Sequence, residues 1–274
     1  MKPLRVGMIE YINALPFYAA FKTGAIKTEA SFVTGNPSTL NQLLREEQLD
    51  LALISSSEYL KHLEKYTLLP QFCIGAFPAV MSVVLYTNCP LYELDNQIIA
   101  VTSQSQTSVD LLRILAFYFW GVNPQFTPLP SLSRAQKFKA FLLIGDECLT
   151  HPQFEGYTRI DLCEAWYHAT ALPFTFAVFA ATDKAHEQKS GEIGQFMQQV
   201  QQSLNWSRAH PETIHALAKA QSSLSEEKIT AYYSYLQYTM NNKQRQALER
   251  FGSYTANLAD KAPLVTAVHH HPHM

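Results

Sequence analysis

The sequence of 274 residues is poor in charge: Asp, Glu, Lys and Arg make up 16 % of it, and the formal net charge is −2. Proteins that bind nucleic acids or anionic membrane surfaces usually carry an excess of positive charge, which this sequence lacks. No run of about 18 consecutive apolar residues is present, so no transmembrane helix is expected. We therefore expect neither a nucleic-acid partner nor a membrane partner.

The sequence also lacks the usual motifs of metal, nucleotide and hydrolase sites. It contains no CxxC pair, P-loop, GxGxxG or GxSxG motif. Four cysteines lie far apart, at Cys73, Cys89, Cys148 and Cys163. Histidines crowd the C-terminus, at His269, His270, His271 and His273, where a tail is the simpler interpretation. We expect no disulfide, no metal and no cofactor.

The N-terminal residues contain no apolar stretch that ends in a small-residue cleavage site. With no leader in view, we expect a cytoplasmic protein. Its hydrophobic content of 47 % is enough to bury one large core or two smaller ones.

The first third of the sequence alternates strand and helix patterns. Residues 4–9 and 49–54 are short apolar runs typical of buried strands, and residues 14–22 have helical spacing. Asn36 followed by Pro37 predicts an N-cap and the first residue of another helix. This β-α-β-α-β order predicts a parallel sheet with right-handed crossovers.

A second unit of the same kind follows. Residues 98–102 and 140–144 have strand patterns, and residues 109–120 have a helical one. Two runs rich in β-forming residues, 81–87 and 174–181, could connect the units. We predict a lobe formed by residues 1–84 and 178–274, a second lobe formed by residues 85–177, and a ligand cleft between them.

The C-terminal part of the sequence is helical in pattern. Four helices are predicted, at residues 184–208, 211–220, 225–238 and 243–258.

Small polar residues follow three of the predicted strands. Tyr11 and Asn13 follow the first, residues 55–57 follow the strand at 49–54, and a run of four follows the strand at 98–102: Ser105, Gln106, Thr107 and Ser108. Hydroxyl and backbone N–H groups at a helix N-terminus can hold an anion. Each group alone is an ordinary N-cap, but three groups facing one cleft favour an anion-binding site.

No nucleophile and base stand at a recognisable spacing. Asp146 and Glu147 follow the buried strand at 140–144, where a carboxylate can cap a loop or act as a base. Glu10 precedes the first polar group and could face the cleft or solvent.

Several collinear segments resemble the chorismate dehydratase family of the futalosine route to menaquinone. They extend from about residue 4 to 181 and include IEYINALPFY, LNQLLREEQLDLALISSSEYLKH, TSQSQTSVDLLRIL, LLIGDECL and DLCEAWYHATALPFTFAVFA. The sequence departs from the family pattern at Cys148, Cys163 and Ala171, where small residues or glycine are common.

The resemblance implies an α/β, two-lobed fold like that of type II periplasmic binding proteins, with mixed sheets, flanking helices and a two-strand hinge. It also implies a cytosolic hydro-lyase, monomeric or homodimeric, that converts the dicarboxylate chorismate to 3-[(1-carboxyvinyl)oxy]benzoate and water. This dehydration aromatises the ring and needs no metal or redox cofactor.

On this resemblance we assign roles to the polar groups. Residues 105–108 would bind one substrate carboxylate, and Ser56 and Ser82 would bind the other carboxylate or the hydroxyl. Asn13 would hold the substrate without adding charge, and Tyr11 would pack on the ring. The base is left open between the substrate's own enolpyruvyl carboxylate, Asp146 and Glu10.

Two other functions stay open. The same fold could serve a non-catalytic carboxylate-binding protein or sensor, since a fold does not fix a function. The sister enzyme, which acts on a later cyclic intermediate of the route, shares the fold but has a different opening motif.

Overall fold

The computed structural model describes residues 3–151 and 153–258 of the chain. The predicted histidine tail lies outside these residues. The strands, in chain order, are β1 (Arg5–Ile9), β2 (Ser31–Gly35), β3 (Leu51–Ser55), β4 (Tyr66–Ala76), β5 (Val83–Thr87), β6 (Ile98–Val101), β7 (Gln125–Pro128), β8 (Ala140–Ile144), β9 (Thr158–Asp161), β10 (Phe174–Thr182) and β11 (Leu236–Thr239).

Helices connect and cover these strands. They are α1 (Leu15–Lys22), α2 (Pro37–Arg45), α3 (Ser56–Lys61), α4 (Gln106–Ile114), α5 (Asp146–Thr150), α6 (Leu162–Thr170), α7 (Asp183–Gln188), α8 (Ser190–Ala209), α9 (Pro211–Gln221), α10 (Glu226–Tyr235) and α11 (Asn242–Leu258). A 3-10 turn, Ile12–Ala14, precedes α1, and a π-helical segment, Leu115–Phe119, continues α4. In the part of the chain described here, no helix combines the length and apolar content needed to cross a membrane.

The strands form two mixed sheets. The six-stranded sheet has the order β11-β4-β10-β3-β1-β2, and the five-stranded sheet has the order β7-β6-β8-β5-β9. β1 is parallel to β2 and β3, as the β-α-β-α-β pattern predicted, whereas β10 runs antiparallel to β3 and β4. In the second sheet β6 is parallel to β7 and β8, and β5 is antiparallel to β8 and β9. We call each sheet with its covering helices a lobe.

The chain crosses between the sheets twice. β4 belongs to the first sheet and β5 to the second, so one crossing lies within residues 77–82. α6 follows β9 of the second sheet and β10 returns to the first, so the other crossing lies at residues 171–173. The predicted lobe boundaries, after residues 84 and 177, fall inside β5 and β10. We propose the two crossing segments as the lobe boundaries instead.

Local sequence signals account for several helix starts. The Asn36 side chain accepts a hydrogen bond from the Thr39 backbone N–H at 2.9 Å, and Pro37 is the first residue of α2, which confirms the predicted cap. The helix predicted over residues 225–238 was wrong at its end. α10 ends at Tyr235, and Leu236–Thr239 pairs with β4 as an edge strand instead.

The core of the first lobe fixes the start of α1. Phe17 is fully buried, and its ring meets those of Phe72, Phe179 and Tyr238 at centroid distances of 5.9, 5.2 and 5.2 Å. Burying a phenylalanine side chain contributes about 1.5–3 kcal/mol. The start of α1 is therefore fixed by its packing against the core, which also restrains the preceding turn, Ile12–Ala14.

Candidate active site

A cavity lies between the two sheets, where β1, β3 and β8 end. This is where ligands bind in open α/β sheets. Apolar side chains form much of its wall, namely Ile9, Ile12, Ile74, Val80, Val83, Ile144, Phe176 and Leu236. The polar side chains that line it are Tyr11, Asn13, Ser55, Ser82, Ser105, Ser108, Asp146 and Tyr232. Both lobes contribute to this set.

Asn13 lies in the 3-10 turn between β1 and α1. The turn is held by the Tyr233 hydroxyl, which donates to the Ile12 carbonyl at 2.7 Å. The Asn13 Oδ1 atom is buried and accepts no hydrogen bond from any described residue. Because a buried, unsatisfied acceptor costs about 1–3 kcal/mol, this oxygen is suited to receive a donor from a ligand.

Ser82 and Tyr232 form a buried hydroxyl pair. The two oxygens are 3.1 Å apart, and the Ser82 carbonyl accepts from the Gly145 N–H at 2.7 Å. The pKa of Tyr232 is raised to about 12, mainly by burial and also by the charge of Asp146. Tyr232 is therefore a neutral phenol throughout the physiological pH range.

Ser105 and Ser108 are at the N-terminus of α4. Ser105 is the N-cap, and its Oγ accepts from the Ser108 N–H at 3.3 Å and lies 2.9 Å from the Ser108 Oγ. Both side chains reach the cavity. Two hydroxyls beside a helix N-terminus form a site suited to a carboxylate.

Gln106 and Thr107, from the same predicted group, do not line the cavity. The Gln106 side-chain amide donates to Asp110 at 2.9 Å, and the Thr107 hydroxyl accepts from the Ser57 N–H at 2.9 Å. Thr107 is 1 % exposed and joins the two lobes behind the cavity. These two side chains therefore make contacts within the protein and do not face the cavity.

Ser56 also lies outside the cavity. It is fully buried, and its hydroxyl donates to the Thr175 carbonyl at 2.7 Å. Its neighbour Ser55 lines the cavity and accepts from the Asn41 side-chain amide at 3.1 Å. Ser55 ends β3 and Ser56 begins α3, and neighbouring residues at a strand end face different sides, so only Ser55 faces the cavity.

Asp146 lines the cavity at the start of α5, and much of its side chain is exposed to solvent. Gly145 precedes it with φ of +62°, a conformation that glycine adopts without strain. Partial burial raises the pKa of the Asp146 carboxyl. Glu10 is exposed and is not part of the cavity wall.

Tyr11 lies near the carboxylates of Asp146 and Glu147. Burial raises the pKa of Tyr11, and the charges of Asp146 and Glu147 raise it further. Its hydroxyl donates to the Gln104 side-chain oxygen at 3.4 Å, on the loop before α4. Tyr11 therefore links the first lobe to the second across the cavity.

Further contacts hold the lobes together around the site. Lys61 on α3 forms an ion pair with Asp110 on α4, with 2.7 Å between Nζ and Oδ2, and Asp110 is 1 % exposed. On the other side, the Lys228 ammonium donates to the Leu149 carbonyl at 3.0 Å. These two contacts bring α3 to α4 and α10 to α5, on either side of the cavity.

The cavity wall carries little charge. Among the described residues that line it, none is a lysine, arginine or histidine, and Asp146 is its one carboxylate. Nor do the described residues contain a group of three His, Cys, Asp or Glu side chains placed to hold a metal ion. An anionic ligand here would be held by hydroxyls, an amide and a helix N-terminus.

Two α/β lobes with a cavity between them are typical of the periplasmic-binding-protein fold, and solved structures agree. A protein from Archaeoglobus fulgidus superposes with a TM-score of 0.75 at 20 % identity, covering 94 % of this chain and 98 % of its own. The aliphatic sulphonate binding protein SsuA of Escherichia coli superposes with a TM-score of 0.69 at 12 % identity, covering 100 % and 97 %. At these identities the likeness concerns the fold alone.

The chain belongs to the menaquinone biosynthesis family, whose model matches residues 4–257. It is 30 % identical over 197 residues to a chorismate dehydratase of Thermus thermophilus, which covers 66 % of this chain and 70 % of the relative. It is 29 % identical over 182 residues to a chorismate dehydratase of Campylobacter jejuni, which covers 65 % and 67 %. The family expected from the sequence motifs is confirmed.

Proposed function

We propose that this protein is a chorismate dehydratase, a hydro-lyase that converts chorismate to 3-[(1-carboxyvinyl)oxy]benzoate and water. The observation that carries the proposal is the set of neutral hydrogen-bonding groups, drawn from both lobes, around one apolar cavity. Chorismate has an apolar ring, two carboxylates and a hydroxyl, and each finds a suitable group in this wall. The two relatives of known activity support the same reaction.

The substrate's groups can be assigned to the wall residues. We place one carboxylate at Ser105 and Ser108, at the N-terminus of α4. The ring lies against the apolar wall and Tyr11. Asn13 offers its unsatisfied Oδ1 to the substrate hydroxyl, which is a donor, and Ser82 lies on the same side as Asn13, next to Tyr232.

The reaction removes a proton from the ring carbon that bears the ether oxygen and expels the neighbouring hydroxyl. Negative charge develops on the ring and its carboxylate before the hydroxyl leaves. Hydrogen-bond donors aimed at that carboxylate, such as Ser105 and Ser108, would bind the transition state more tightly than the substrate. In a cavity with few charges and much apolar wall, such donors are stronger than in water.

The proton acceptor is a carboxylate, either Asp146 or the substrate's own enolpyruvyl group. Glu10 is a poor candidate because its side chain is exposed outside the cavity wall. An Asp146 base would work above its raised pKa, so activity would fall as the pH drops through that value. Asp146→Asn separates the two: loss of turnover assigns the base to Asp146, and retained turnover assigns it to the substrate.

The proposal is tested by incubating the purified protein with chorismate and following the products by mass spectrometry and ultraviolet absorbance. Loss of one water with the appearance of an aromatic spectrum is expected. Chorismate that binds and is recovered unchanged would indicate a receptor instead. Neither binding nor turnover would refute the substrate assignment.

A further inference from the structure

Two consecutive tyrosines on α10 reach the candidate site from a distant part of the chain. The Tyr232 hydroxyl lies 3.1 Å from the Ser82 hydroxyl, 150 residues away in the sequence. The Tyr233 hydroxyl bonds the Ile12 carbonyl, 221 residues away and directly before Asn13. α10 therefore forms hydrogen bonds with two segments of the site, the turn that contains Asn13 and the segment that contains Ser82.

The direction of the hydrogen bond between Tyr232 and Ser82 follows from the chemistry of the two hydroxyls. A phenol O–H is more acidic than the hydroxyl of a serine and is therefore the stronger donor. Tyr232 is 2 % exposed, so its proton needs an acceptor within the protein. The Ser82 Oγ is the hydroxyl oxygen within reach, at 3.1 Å.

A Ser82 oxygen that accepts from Tyr232 has its own proton free for another partner. Ser82 is 4 % exposed and lines the cavity, so that proton is directed to whatever the cavity holds. Without Tyr232, the Ser82 proton could turn to another acceptor, and its position would no longer be fixed. A hydrogen bond donated by Tyr232 thus leaves Ser82 as a donor to the cavity.

We propose that Tyr232 is a positioning residue that fixes Ser82 as the proton donor to the hydroxyl leaving the substrate. This inference rests on the proposed dehydration. As the carbon–oxygen bond breaks, its electron pair goes to the leaving oxygen, which takes the Ser82 proton and departs as water. Ser82 regains a proton from Tyr232, and the tyrosine is reprotonated by the proton that the base removed from the ring carbon, so no other reactant is needed.

The test compares Tyr232→Phe, Ser82→Ala and the double variant in chorismate turnover. Misplacement of a reacting group by about 1 Å costs on the order of 100-fold in rate, so Tyr232→Phe should lower kcat by about 100-fold with little change in KM. Because Tyr232 acts through Ser82, adding Tyr232→Phe to Ser82→Ala should change kcat less than about 3-fold. Tyr235→Phe, on the same helix but outside the cavity wall, is the matched control and should keep wild-type kcat.

The outcomes separate this inference from the proposed function. No turnover by the wild-type protein would refute the dehydration itself. Wild-type turnover with an unchanged Tyr232→Phe kcat, or with losses that multiply in the double variant, would overturn only the role of Tyr232. If Tyr232→Phe does not fold, a fluorinated tyrosine at position 232 replaces it. Fluorination lowers the pKa of the phenol, so the decrease of kcat at alkaline pH should move to lower pH. A pH profile of kcat that does not move would contradict the proposal.

Discussion

Asp161 links the stability of the second lobe to the position of Ser82. Its carboxylate is 3 % exposed and accepts hydrogen bonds from the backbone N–H groups of Val80 at 3.1 Å and Met81 at 2.6 Å. It also caps α6 by accepting from two N–H groups of the helix's first turn, at 2.9 and 3.2 Å. Ser82 directly follows Val80 and Met81 in the sequence, so the hydrogen bonds to Asp161 also fix the backbone next to Ser82.

Replacing Asp161 by alanine should therefore affect both folding and catalysis. Burial raises the pKa of the Asp161 carboxyl and outweighs the hydrogen bonds that stabilise its charge, so the loss is counted from the donors left without an acceptor, about 1–3 kcal/mol each. With about 1 kcal/mol for the lost helix cap, the free energy of unfolding should fall by about 3–7 kcal/mol, a large part of the stability of a typical domain. Asp161→Asn keeps one acceptor oxygen and should lose about half as much, so it is the better variant for kinetics.

Urea denaturation at neutral pH and chorismate turnover measure the two effects. We expect Asp161→Asn to be folded but less stable, with a lower kcat because Ser82 is displaced. Asp95→Ala is the matched control, since Asp95 is exposed and accepts from the Asn123 backbone N–H and the Asn96 side-chain amide, each at 2.9 Å. Because these bonds face solvent, the cost of the substitution should be about 1 kcal/mol. A stability of Asp161→Ala within about 1 kcal/mol of wild type, or a wild-type kcat for Asp161→Asn, would refute this reasoning.

Three more predictions concern the cleft. Lys61→Met removes the ion pair between α3 and α4 and leaves the buried Asp110 carboxylate with fewer compensating charges. The KM for chorismate should therefore rise several-fold while kcat stays close to wild type. An unchanged KM would show that this ion pair does not affect substrate binding. For Asp146→Asn, folding stability should equal or exceed that of wild type at pH 7 and match it at pH 3. The reason is that burial destabilises the ionised carboxylate in the folded protein, which raises its pKa; this loss of stability appears only as the pH rises through that pKa. Thermal unfolding of both proteins at pH 3 and pH 7 measures the difference in stability. Asn13→Ala should lower kcat by about 100-fold in the turnover assay while the protein stays folded, because the variant loses no hydrogen bond accepted by Oδ1; a full kcat would remove Asn13 from the site.

Much of the fold could be predicted because its signals are local. The cap formed by Asn36 and the run at residues 140–144 depend on neighbours in the sequence, and both were found where expected. β4 and β11 were missed because a strand's identity also depends on its pairing partner. Leu236–Thr239 continues the helical pattern of α10, and its contact with β4 makes it a strand.

The sequence also indicated which strand ends would contribute side chains to the cavity. Tyr11, Asn13, Ser82, Ser105, Ser108 and Asp146 all meet at the cavity because strand ends converge in an open α/β sheet. Choosing Ser55 over Ser56 requires the exact strand register, which the sequence does not show. Tyr232 lies in no motif and reaches Ser82 only through the packing of α10, so no pattern in the sequence could have identified it.

The central claim is that this cleft dehydrates chorismate, and one paired measurement tests it most directly. Wild-type protein and Asn13→Ala would be mixed with chorismate, with binding followed by calorimetry and products by mass spectrometry and absorbance. We predict that the wild type releases one water and an aromatic enolpyruvyl ether, whereas the variant binds chorismate but converts it about 100-fold more slowly. Unchanged chorismate with both proteins, or equal turnover by both, would contradict this account of the site.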